Sequence, residues 1–195
     1  MSITRRSVIP LLALLTLMST GCHRGNEATN STASPSSSSA HTAEQALEKC
    51  PNPDEAVRAD ATSVAVTYEN IAYCWDSTKD PSTQAATTRA LALASGPWKD
   101  TQAAAKPPNA FQEQFDTAAH FNGVTDVTVA PAGDGMDAGT DAETTQRTVD
   151  ITWTWVGDDG QKAPGGRAQD IVYLEKNAGQ WEVIATENTH MRTNE

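Results

Sequence analysis

Basic residues are scarce in this chain. Lysine and arginine total 14 against 25 aspartates and glutamates, a formal net charge of -11 over 195 residues. That balance excludes a surface built to neutralise nucleic-acid phosphates, and it excludes an electrostatic hold on anionic lipid. Cysteine is scarce as well. There are three, none in CxxC spacing, which excludes a thioredoxin-like redox pair and a zinc ribbon. His23, His41, His120 and His190 are scattered without paired ligand spacing, so neither a metal nor a cofactor is expected. The acidic stretch with Asp134, Asp137, Asp141 and Glu143 lacks the EF-hand spacing and reads as a loop rather than a calcium site. No apolar run reaches the roughly 20 residues of a membrane-spanning helix.

The apolar run that is present, residues 8–18, follows Arg5 and Arg6 and precedes Ser19, Thr20, Gly21 and Cys22. This is the layout of a bacterial export signal. The small residues before Cys22 resemble a lipobox, although Ser19 stands where lipoproteins prefer Leu or Val. Residues 1–21 are therefore expected to be a lipoprotein signal peptide, with Cys22 the lipidated attachment to the cell membrane. A plain secretory signal cut nearby is the alternative, and the arginine pair leaves Sec and twin-arginine export both open. Residues 22–48, rich in Ser, Thr and Ala, cannot bury enough surface to offset ordering entropy and are expected to form a flexible tether. Cys50 and Cys74 remain, an even pair in an exported chain, and read as a disulfide.

About 150 residues are left, enough for one domain with a real core. Its organising stretch is 56–76. Val57, Ala61, Val64, Tyr68, Ile71, Ala72 and Trp75 recur at three- and four-residue steps and predict an amphipathic helix, with Asp54 as its cap. A second helix is predicted over 82–95, with Asp80 as cap, Pro81 in its first turn and Gly96-Pro97 as its end. The stretch from Trp98 to Pro108, rich in Ala, Lys and Pro, reads as a connection with room for one turn of helix. A third helix follows over about 110–121. Alternation then predicts strands over 124–130, 148–156, 168–176 and 180–185, the second with Val149, Ile151, Trp153 and Trp155 on one face. Residues 157–166 read as a hairpin loop, and Asn177-Ala178-Gly179 as a short turn. Helices followed by an antiparallel meander predict an α+β layout.

The motifs Trp75-Asp76, Asp80-Pro81 and Arg89-Ala90, with Arg147 and Val149, Gly157-Asp158-Asp159-Gly160 and Gly179-Gln180-Trp181, resemble the NTF2-like cone fold. The likeness spans about 54–187. It is closest to actinobacterial envelope members, including the periplasmic domains of conjugative type IV secretion assembly factors. The run after Trp98 departs from that pattern, being polar and alanine-rich. The resemblance implies three N-terminal helices on a curved antiparallel sheet of about four strands, covering residues 49–195. It also implies a cone whose possible pocket residues are Tyr68, Trp75, Asp76, Trp153, Trp155 and Asp170. Among the acids, Asp170 alternates with Val172 and Leu174 and is expected to face inward, whereas Asp150 lies opposite the tryptophan face and is expected to face solvent. Asp76 is expected to cap its helix or pair with Arg89, and His120 to cap the third helix. No nucleophile, base and orienting group come together, so a non-catalytic role is expected. The resemblance implies an envelope accessory or assembly component that presents the domain to a protein partner, possible in translocation or conjugation machinery. The alternatives are a small apolar ligand held in the cone, or an isomerase- or cyclase-like enzyme.

Overall fold

The computed structural model describes residues 42–106, 110–133 and 143–193. They belong to one compact unit, Ser38–Glu195. The expected signal peptide, Cys22 and most of the expected tether lie outside the described residues, as do Asp134, Asp137 and Asp141.

The last residues of the expected tether are helical instead. In α1 (Ala43–Leu47) the Thr42 hydroxyl accepts from the Gln45 N–H, and the Gln45 side chain accepts from the Thr42 N–H. This reciprocal cap satisfies two donors that a short helix otherwise leaves open. Ala43 and Ala46 are buried, with Val124 of the first strand, β1 (Val124–Pro131), in the same cluster. Two alanines count little in composition, but here they find an apolar surface.

The central helix, α2 (Ala61–Tyr73), starts later than predicted. Pro53–Glu55 forms one 3-10 turn, and Asp60 rather than Asp54 is the cap, its carboxylate accepting from the Thr62 N–H at 2.9 Å. The segment between is held by tertiary bonds that a continuous helix would forfeit. The Trp181 N–H donates to the Arg58 carbonyl at 2.8 Å, and the Arg58 guanidinium donates to the carbonyls of Trp181 and Ala92. Val57, expected on the buried stripe, is consequently 60% exposed. The rest of the stripe is buried.

The disulfide is present between Cys50 and Cys74, with Cα atoms 5.9 Å apart and 24 residues of separation. It fixes the end of α2 to the segment before it and contributes about 3 kcal/mol in the chain-entropy account.

Among the described residues, five α-helices stand where three were expected. α3 (Gln84–Ala90) begins beyond Pro81 because the Asp80 carboxylate is engaged elsewhere. It holds Arg89 in a two-pronged ion pair at 2.5 and 3.1 Å and accepts from the Asp76 N–H at 3.0 Å. A 3-10 turn, Leu91–Leu93, follows. Gly96-Pro97 opens a further helix, α4 (Gly96–Ala104), longer than the single turn that the expected connection had room for. Proline is tolerated there because the first-turn N–H has no intrahelical partner anyway. α5 (Gln112–Ala119) corresponds to the predicted third helix.

The helices pack on a four-stranded antiparallel open sheet in the order β1-β2-β3-β4, with β2 (Thr144–Val156), β3 (Lys162–Asn177) and β4 (Gln180–Thr193). The layout is α+β, as the sequence predicts. The strands are longer than their sequence signals. β3 runs through Pro164-Gly165-Gly166, read above as loop, at a register shift between Trp153 and Trp155 of β2. A Cβ on either glycine would collide with Trp153, so the backbone can pass there only without one. Ala178 and Gly179, at φ 49° and 82°, make the tight turn into β4. The core lies between α2 and the sheet face carrying Val149, Ile151, Trp153, Val172, Leu174 and Val183, and small residues Ala86 and Ala90 let α3 close on α2.

Candidate functional site

Glu69 and Tyr73 stand four residues apart on α2 and therefore share one face. Both are buried, and both meet Asp170 of β3. The Tyr73 hydroxyl donates to Oδ2 of Asp170 at 3.2 Å, and the Asn188 amide donates to Oδ1 at 2.5 Å. Asn188 reaches this position through a register shift. Gln169 pairs with His190, but Asp170 pairs with Asn188, so β4 skips one residue and puts the amide on the inner face.

The Glu69 carboxyl is the third polar neighbour of Asp170. Two buried carboxyl groups side by side disfavour a double negative charge, which favours a proton on one of them. Burial, with the charge of Asp170 next, pushes the Glu69 carboxyl well above the usual glutamate range. Burial also raises Asp170, while its donors Asn188, Tyr73 and Glu69 pull it part of the way back. Two buried tyrosines respond the same way. Tyr68 and Tyr73 are both raised, first by burial and then by the neighbouring acid charge.

These groups form the polar end of a cavity of about 240 Å³. Five aromatic side chains, Tyr68, Tyr73, Trp75, Trp98 and Phe111, supply much of its wall. The turn after α2 aims two of these rings. The buried Thr125 hydroxyl donates to the Tyr73 carbonyl at 2.7 Å and accepts from the Trp75 N–H at 2.8 Å. Phe111 takes a left-handed backbone, φ 66°, which costs a non-glycine residue about 1–3 kcal/mol. Its ring is held in return against Trp153, Trp75 and Tyr73 at 4.8, 5.4 and 6.1 Å between centroids. The Trp98 indole N–H donates to the Tyr68 hydroxyl at 3.4 Å and brings α4 into the wall.

Of the six pocket residues expected from sequence, Tyr68, Trp75 and Asp170 line this cavity. Trp153 packs behind it, against Tyr73 and Trp75. Trp155 stacks on Trp75 and faces a separate depression beside α5. Their indole N–H groups both point to the Gln114 side-chain oxygen. Asp76 is turned into its own loop, bonded to Thr78 and paired with Lys79 at 3.1 Å instead of Arg89. Burial works to raise Asp76, but the bonds from Thr78 and Lys79 outweigh it and its pKa is lowered. His120 is the exposed C-cap of α5, and Asp150 is exposed on the outer face beside Gln169.

Glu69 and Asn188 were not among the residues singled out from sequence. Glu69 sits beside the apolar stripe, and its signal is the one-turn spacing Ala65, Glu69, Tyr73, which widens the buried face. Asn188 lies past the predicted end of the last strand, and the skipped residue that turns it inward has no local signature. Among the described residues no group of three or more His, Cys, Asp or Glu is placed to hold a metal, and no helix is long and apolar enough to cross a membrane. Comparison with known protein families, with curated proteins and with solved structures finds no match to this chain.

Proposed function

We propose that this chain is a lipid-anchored envelope protein whose NTF2-like domain binds a small molecule in the cavity between α2, α3, α4 and the sheet. The observation that carries this reading is the acid pair of Glu69 and Asp170 at the end of an aromatic-walled space. Pockets that hold small ligands combine apolar walls with a few convergent polar groups, and this one has that composition. We read the role as holding rather than reacting, because the bonds from Tyr73 and Asn188 fix Asp170 and make it a weaker base. Presentation to a protein partner, the other reading of the resemblance, calls for an exposed apolar patch. Among the described residues the exposed large apolar side chains are Val57 and Met191, and Met191 belongs to the cavity rim. Ligand binding is therefore the better supported of the two.

The test is to purify the full-length protein from membranes and identify what it releases on denaturation. A small molecule at about one equivalent is expected. Thr87→Trp, which places a large ring in the cavity lining, should abolish it. Release of nothing by the native protein, or equal release by the Trp variant, would remove the reading.

A further inference from the structure

The unsatisfied chemistry of the acid pair selects what the cavity takes. A carboxylate has about four acceptor positions, and Asp170 uses two of them for Tyr73 and Asn188. Glu69 is 2% exposed, and among the described residues no donor reaches its Oε1. What remains open at the end of the cavity is acceptor capacity on Asp170, which the occupant meets with N–H or O–H donors.

Charge narrows the choice. The lining holds two carboxyl groups, Glu69 and Asp170, and among the described residues it contains no Lys, Arg or His to balance a negative charge there. The walls point the same way. Aromatic faces attract cations through the ring quadrupole, and five rings here surround a space that ends in a carboxylate. An anion would meet repulsion from Asp170 and no donor except groups already committed.

We propose that the cavity is a receptor for a small organic monocation, an alkyl- or arylalkyl-ammonium. Its ammonium N–H groups donate to the open positions on Asp170, and its carbon body lies against Trp98, Phe111 and Trp75. This deepens the small-molecule reading above and rests on it.

The test uses three probes of nearly equal size on the full-length protein: 2-phenylethylamine, 2-phenylethanol and 3-phenylpropionate. Binding is read by the fluorescence of the cavity tryptophans and by thermal shift. The amine is expected to bind at least about tenfold more tightly than the alcohol, and the carboxylate more weakly still. Asp170→Asn should erase the amine's advantage. If that variant does not fold, Trp98→Leu, at a half-buried wall position, should reduce it severalfold. Thr87→Trp, unchanged in charge, should abolish binding of all three and so separates the cavity from the acidic surface. Equal or tighter binding of the alcohol or the carboxylate overturns the cation assignment and leaves the cavity reading standing. Failure of all three probes to bind overturns the cation assignment. Loss of the cavity reading itself is seen separately, in native protein that releases no ligand.

Discussion

Glu69 is the residue on which the site turns, and its protonation links the site to stability. Glu69 and Asp170 both have folded pKa values above their unfolded ones. Between those values the folded chain holds more protons than the unfolded chain, so stability falls as pH rises through the window. Asp76 has the opposite sign, since its lowered pKa gives stability that is lost as pH falls. Glu69→Gln keeps the size, offers Asp170 an amide donor and removes one titration. In urea denaturation across pH 4 to 8, the native chain should lose stability with rising pH more steeply than the variant. At pH 7 the variant should match or exceed it by about 1 kcal/mol. Parallel pH curves would mean that Glu69 is ionised in the folded protein. The inward setting of Asp170 was legible from its alternation with Val172 and Leu174. The partnership with Glu69 was not, because it joins residues a hundred positions apart on different elements.

At the level of elements, secondary-structure type was readable and boundaries were not. The stripe on α2 and the alternation on β2 come from side-chain periodicity, which is local. The ends were set by contacts with other elements, as where Arg58 and Trp181 hold the chain out of helix before Asp60, or where Asp80 binds Arg89 instead of capping α3. Gly165 and Gly166 show the same limit. They signal a turn in isolation, yet they are strand residues whose missing side chains let β3 pass Trp153. Gly166→Ala should therefore destabilise the domain by about 1–3 kcal/mol, measured by denaturant midpoint, because the Trp153 ring and the Arg192 carbonyl both stand in the way. A neutral result would show that the two strands can separate there at little cost.

For the whole molecule, address and body are separate matters. The proposed anchor rests on Arg5, Arg6, the apolar run and Cys22, so Cys22→Ser should shift the protein from the membrane fraction to the soluble one without altering its melting temperature. Retention in the membrane fraction would point to another attachment. The disulfide belongs to both levels, being expected from an even cysteine pair in an exported chain and present between Cys50 and Cys74.

The sequence by itself determined the α+β order, the acidic surface, the central amphipathic helix, the inward tryptophans and the cysteine pair. Each follows from composition or from a period of two or 3.6 residues, which neighbouring positions carry on their own. Only the tertiary structure decided that Glu69 from the helix, Asp170 and Asn188 from the sheet, and Trp98 from an unexpected fourth helix meet around one cavity. That meeting depends on strand register and helix packing, and these are set by contacts between distant residues rather than by any local pattern.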